Sequence, residues 1–155
     1  MKILLLSIGK TKDKYIQRGI EEYTGRLKHY CSFEYKEWTS GKGKGSRSQI
    51  KQKEAKWIQK QISPTDHCIL LDENGRQFSS RKFAHKVEKW LMHTQGNLVF
   101  VIGGAYGFTD ELKKQSDGLL SLSKMTFSHQ MIRIFILEQI YRAFTILRGE
   151  SYHND

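Results

Sequence analysis

The chain has 155 residues, enough for one domain with a buried core. Its 38% hydrophobic and 12% aromatic content is that of a soluble globular protein, and no apolar run nears the roughly 20 residues of a membrane helix. With 26 basic and 16 acidic residues the net charge is +10 at pH 7, which favours polyanionic partners, nucleic acid first among them.

The opening "MKILLLSIGK" has an apolar stretch too short for a secretory signal, so residues 2–8 read as a buried strand ended by Gly9. Tyr15, Ile16, Ile20, Tyr23 and Leu27 recur at helical spacing and predict a helix over 12–30. In "CSFEYKEW" (31–38) Cys31, Phe33 and Tyr35 alternate with polar residues, the pattern of a half-exposed strand. Cys31 and Cys68 have no CxxC partner and no His at ligand spacing. Neither a disulfide framework nor a metal site is expected, and a cytoplasmic location is the default. "TSGKGKGSRS" (39–48) reads as a basic loop carrying Lys42, Lys44 and Arg47. A helix from about Gln49 to Ile62 ends before Pro64, the only proline.

The second half repeats the alternation. "HCILLD" (67–72) is a strand and "ENGR" a turn. Ser79 or Ser80 caps a helix running to His93. "NLVFVI" (97–102) is the most apolar strand, and Thr109-Asp110-Glu111 opens a short helix. "GLLSLS" (118–123) is a last strand, and Met131 to Leu147 a last helix. Its apolar stripe, from Ile132 through Phe135, Ile136 and Ile140, reads as core or dimer interface, with Glu138 and Arg142 spaced to pair. Strands alternating with helices predict a single-domain α/β fold with a mainly parallel sheet.

"IGGAYG" (102–107) follows a buried strand and precedes a helix, the setting of a ligand site at the carboxyl edge of a sheet. It matches neither the dinucleotide fingerprint nor the phosphate-binding P-loop. The alternative is a tight turn needing positive φ. Two further strand ends fall on the same edge, Leu71-Asp72-Glu73 and "SLSKMTF". Backbone amides with Leu, Met and Phe side chains suit a flat neutral heterocycle such as adenine, not a triphosphate.

The stretches "MKILLLSIGKTKDKYIQRGIEEYTGRLKHY", "VFVIGGAYGF" and "LSLSKMTFSHQMIRIFILEQIYRAFTILRGESYH" resemble the RlmH (YbeA-like) family. These are ribosomal RNA large subunit methyltransferases of the SPOUT, or α/β-knot, class. The resemblance spans the whole chain. It implies a five-stranded, mostly parallel sheet with helices on both faces and a carboxyl-terminal trefoil knot, an exception to the rule against threaded loops. It also implies a homodimer and S-adenosylmethionine as cofactor. The implied substrate is a pseudouridine in the helix 69 stem-loop of 23S rRNA, methylated at N3 within the assembled ribosome. Carried over by position, cofactor contacts fall on Leu71, Gly103 and its neighbour Gly104, and on Leu122, Ser123, Lys124, Met125, Thr126 and Phe127. Ser128 departs from the family pattern, standing where many relatives have proline.

The chemistry asks for little at the methyl donor, which is already activated, and more at the acceptor. N3 of pseudouridine lies between two carbonyls and is protonated at neutral pH. A base or a cation near the developing anion is needed. His129, Arg133, Arg142 and His153 are the candidates, with Tyr152 to stack on the target base. Gly149 lets the tail carrying Tyr152 and His153 turn away from the last helix, toward a pocket of its own or of a partner subunit. RNA phosphates are expected at Lys42, Lys44 and Arg47, and at Lys10, Lys12 and Lys14. Two competing readings are a non-catalytic RNA- or ribosome-binding protein on the same fold and a nucleotide-dependent metabolic enzyme. The missing phosphate motifs count against the latter.

Overall fold

The computed structural model describes residues 2–39 and 44–154, so Lys42 lies outside the described residues. The elements in chain order are β1 (Lys2–Ile8), α1 (Lys14–Leu27), β2 (Ser32–Trp38), α2 (Arg47–Gln61), β3 (His67–Arg76), α3 (Ser80–His93), β4 (Leu98–Ile102), α4 (Asp110–Gln115), β5 (Gly118–Leu120) and α5 (Met131–Leu147). The strands form one sheet in the order β2-β1-β4-β3-β5, and every pairing is parallel. This is the α/β architecture that the alternation predicts.

A parallel sheet is covered on both faces, so its central strands read as unbroken apolar runs. Alternate residues of β1 divide between two cores. Ile3 and Leu5 pack with Ile16 and Ile20 of α1, Phe83 and Val87 of α3, and Ile136 and Ile140 of α5. Leu4 and Leu6 pack on the other face with Ala55 and Ile58 of α2 and Leu112 of α4. Cys31 and Cys68 are free thiols, and burial pushes Cys68 up to about 12.

Helix α1 is shorter than the predicted 12–30, running only from Lys14 to Leu27, and three boundaries nearer the site also differ from the sequence reading. Helix α2 begins at Arg47 because Ser46 and Gln49 form a capping box: Gln49 N–H donates to Ser46 Oγ at 3.2 Å and Ser46 N–H to Gln49 Oε1 at 3.0 Å. Arg47 and Ser48 therefore stand on a helix, not on the basic loop. The predicted turn Glu73 to Arg76 is extended and belongs to β3, because the chain there meets β5. Leu120 pairs with both Leu71 and Arg76, and Ser121 N–H donates to Arg76 O at 3.0 Å. Finally, β5 stops at Leu120 rather than Ser123, where the chain leaves the sheet. The carboxyl ends of β3, β4 and β5 lie side by side, and the loops leaving them converge.

Candidate active site

Those three loops, together with the start of α2, line an open cavity of about 910 Å³. Of the residues expected at a cofactor, Leu71, Gly103, Gly104, Leu122, Ser123, Met125, Thr126 and Phe127 line it; Lys124 is exposed and does not. His129 also lines it.

The hydrogen-bonding side chains ahead of α5 turn back on their own backbone. Ser121 Oγ donates to Ser123 O at 2.8 Å, and Ser123 Oγ accepts from Met125 N–H at 3.0 Å. Ser128 Oγ accepts from Met131 N–H at 3.1 Å, meeting one of the unpaired donors at the start of α5. The loop thus shapes itself and leaves Thr126 and Met125 exposed, Met125 at 77%.

The end of this loop is fastened to β1 from behind. Arg133, a candidate for the reacting centre by sequence, is instead 1% exposed and does not line the cavity. Its Nε donates to His129 O at 3.0 Å, and Nη2 to Ile8 O at 3.1 Å. Its Nη1 donates to Thr11 Oγ1 at 2.7 Å and to Glu37 Oε2 at 2.9 Å. Burial works to raise the Glu37 carboxyl, but hydrogen bonds from Thr11 and Tyr35 and the Arg133 charge outweigh it and hold it below the usual range. Gln130 adds a second tie: its Nε2 donates to Lys10 O at 3.2 Å, and its Oε1 accepts from Lys12 N–H at 2.8 Å. No periodicity announces this cluster, because Thr11, Glu37 and Arg133 meet only after folding.

The glycine loop is explained by packing more than by turning. A Cβ on Gly103 would lie 2.9 Å from Phe108 Cζ, and one on Gly104 2.5 Å from Glu54 Oε2. Among these glycines only Gly107 has positive φ, at 76°, and its N–H closes a turn on Gly104 O at 3.1 Å. The backbone of Gly103 and Gly104 is left facing the cavity. Glu54 itself is 8% exposed, its Oε1 has no hydrogen-bond partner among the described residues, and burial raises its carboxyl.

Residues 1–153 match the family model described as a predicted SPOUT methyltransferase. The chain is 48% identical over 155 residues to a ribosomal RNA large subunit methyltransferase H of Cytophaga hutchinsonii, covering 99% of this chain and 100% of that one. A protein of the same name from Geobacter sulfurreducens is 42% identical over 154 residues, with the same coverage. The chain belongs to this family. Its fold is also that of a probable methylase family protein from Haemophilus influenzae, at a TM-score of 0.56 and 16% identity, over 95% of this chain and 66% of that one.

In this SPOUT family chain the remaining candidates stand apart from the cavity. Helix α5 rises 1.5 Å per residue, so about 16 Å of its axis separates Met131 from Arg142. Arg142, Tyr152 and His153 cluster at that far end. Arg142 pairs with Glu138 at 2.5 Å, as the spacing predicts, and its Nη1 lies 3.1 Å from His153 Nδ1. Tyr152 OH donates to Glu138 Oε1 at 3.0 Å, and its ring stands edge-on to Tyr141 at 4.8 Å. Burial, then hydrogen bonds with Tyr23 and Glu138, push the Tyr152 hydroxyl well above its ordinary value. Gly149, at φ 68°, makes the expected turn, and the tail docks rather than frays: Tyr152 and His153 are both partly buried. Sequence reading missed Glu138 as the centre of this cluster and Tyr23 beside it.

Lys10, Lys12, Lys14 and Lys44 are exposed. Among the described residues no helix is long and apolar enough to cross a membrane, and no group of three or more His, Cys, Asp or Glu could hold a metal.

Proposed function

We propose that the protein is an S-adenosylmethionine-dependent methyltransferase acting at N3 of a pseudouridine in the helix 69 stem-loop of 23S rRNA, in the assembled ribosome. The observation that carries the reading is the cavity at the carboxyl ends of β3, β4 and β5, bounded by the loop from Leu122 to Phe127, in a chain 48% identical to a ribosomal RNA large subunit methyltransferase H.

The lining fits the cofactor. Leu71, Ile102, Leu122 and Phe127 offer apolar surface for adenine, and the Gly103-Gly104 backbone offers hydrogen bonds beside it. Bound there, the cofactor supplies a methyl group already activated on a sulfonium. The residues must then align the acceptor and manage one proton. His129, on the cavity wall, is the candidate to take the N3 proton. The Arg142 guanidinium can only donate, so in this contact His153 Nδ1 is the acceptor and Nε2 is the ring's donor. His153 is thereby a donor, suited to a carbonyl oxygen that gains charge as N3 is deprotonated.

The Arg142, Tyr152 and His153 cluster meets a cavity only if a second copy supplies it, so the reading includes a homodimer with shared sites. Phe135, 36% exposed on α5 and 4.8 Å from the Phe127 ring, gives an apolar face beside the loop for such a contact. The trefoil threading belongs to the same reading. What supports it is the close passage of residues 72–76 of β3 beside β5, where Leu120 pairs with both Leu71 and Arg76.

Calorimetry with S-adenosylmethionine on the wild type and on Thr126→Arg tests the site, followed by methyl transfer to ribosomes carrying or lacking pseudouridine. Expected are binding that the substitution abolishes and transfer only to pseudouridine. Mixing Thr126→Arg with His153→Ala subunits should restore transfer, since one site of each mixed dimer is whole. A folded wild type that binds no cofactor would overturn the reading in favour of a non-catalytic RNA-binding protein.

A further inference from the structure

The cavity is larger than its cofactor loops account for. At about 910 Å³ it stands near the top of the ~300–1,000 Å³ range of small-ligand sites. Leu71, Gly103 and the loop after Leu122 form one wall. Another is formed by Arg47 and Lys51 of α2 and by Tyr106 at the tip of the glycine turn. None of these three belongs to either hydrophobic core. Tyr106 is 43% exposed, a large aromatic ring held out by the turn that Gly107 closes. The Arg47 guanidinium sits 5.1 Å from that ring's centroid. Arg47 and Lys51 are four residues apart and leave one helix face, where like charges repel each other. Among the described residues neither has an ion-pair partner; of the carboxylates lining the same cavity, Asp72 pairs with Lys113 at 3.5 Å, and Glu73 and Asp110 pair with neither Arg47 nor Lys51. The Ser46 capping box fixes the turn from which Arg47 projects.

Two cations and an exposed aromatic face are the elements that recognise unpaired nucleotides. The cofactor's positive sulfonium offers the two cations no partner, and calorimetry tests whether its carboxylate does. We propose that Arg47, Lys51 and Tyr106 form the RNA-facing wall of the cavity. Tyr106 stacks on an unpaired base beside the methyl acceptor, and Arg47 and Lys51 hold the phosphates flanking it. An anion between the two cations also relieves their repulsion. The inference rests on the methyltransferase reading of the same site and adds how the substrate strand is held there.

The test uses the full chain and intact bacterial ribosomes, with Tyr106→Ala, Tyr106→Phe, Arg47→Ala and Lys51→Ala. Ribosome binding is followed by sedimentation over a salt series, and cofactor binding by calorimetry. Tyr106→Ala should weaken ribosome binding roughly ten-fold, as expected for the loss of one base stack, and Tyr106→Phe should restore it. Arg47→Ala and Lys51→Ala should each lower the slope of log affinity against log salt by about 0.7, the value for one phosphate contact on a single strand. Cofactor affinity should stay at the wild-type value in all four. Unchanged ribosome binding in Tyr106→Ala overturns the proposal, as does a wild type that binds no ribosomes. A matching loss of cofactor affinity overturns it too, by assigning this wall to the cofactor. Tyr106-dependent ribosome binding without any methyl transfer by the wild type would sink the methyltransferase reading and leave the RNA wall standing.

Discussion

Arg133→Met should cost the fold about 4 kcal/mol, most of it from groups left buried without a partner. Methionine replaces the apolar stem but none of the donors. The His129 and Ile8 carbonyls each lose a hydrogen bond, at roughly 1 kcal/mol apiece, and the Glu37 carboxylate loses its cation, at roughly 2 kcal/mol. The sum lies within the ~3–5 kcal/mol expected when one partner of a buried pair is removed. It leaves a folded but weakened protein, since domains of this kind hold about 5–15 kcal/mol in total. Urea denaturation at pH 7 measures the loss. The same substitution frees the His129 carbonyl, so the loop from Leu122 to His129 should spend less time in its binding geometry. If it does so a tenth of the time, cofactor affinity falls about ten-fold. A loss below about 1 kcal/mol would refute the reasoning. It would mean that Glu37 and the two carbonyls find water or other partners, and that Arg133 does not hold the loop.

Two further predictions use the same region and the close passage of β3 beside β5. Because the folded Glu37 carboxyl is depressed, its contribution is complete above the unfolded value of ~4.3 and is lost as pH falls through the lower folded value. The stability gap between wild type and Glu37→Gln should therefore be widest near neutral pH and narrow below about pH 4; a gap flat from about pH 7 to 3 would contradict the assignment. Gly75→Ala would set a Cβ 2.6 Å from the Leu119 carbonyl carbon and the Leu120 nitrogen, backbone that cannot swing aside. It should destabilise by at least ~1–3 kcal/mol in urea denaturation, and a neutral result would mean that β3 does not pass so close to β5 there.

Much of the fold is legible in the residues. The boundaries of β1 and α5 follow from where apolar runs and helical spacing begin and end, and the caps at Ser79 and Thr109 follow from residue type. The extended course of Glu73 to Arg76 is not legible, because "ENGR" has turn chemistry and only the passage of β5 beside it imposes a strand. The glycine loop is readable as part of the cavity lining, but for an incomplete reason. Gly103 and Gly104 answer to Phe108 and Glu54 behind them, contacts that no local pattern encodes.

The sequence by itself determined the elements, the parallel α/β class, the family and most of the cavity lining. Each of these rests on periodicity, residue type or a motif contiguous along the chain. Only the tertiary structure decided which polar residues act together. Arg133, Thr11 and Glu37 join across 122 and 96 residues of sequence into a buried anchor. Arg142, Tyr152 and His153 gather around Glu138 at the end of α5 away from His129. Arg47 and Lys51 come to face the cavity beside Tyr106. A charged side chain finds its partner through the packing of whole elements, and a local pattern carries no record of that packing.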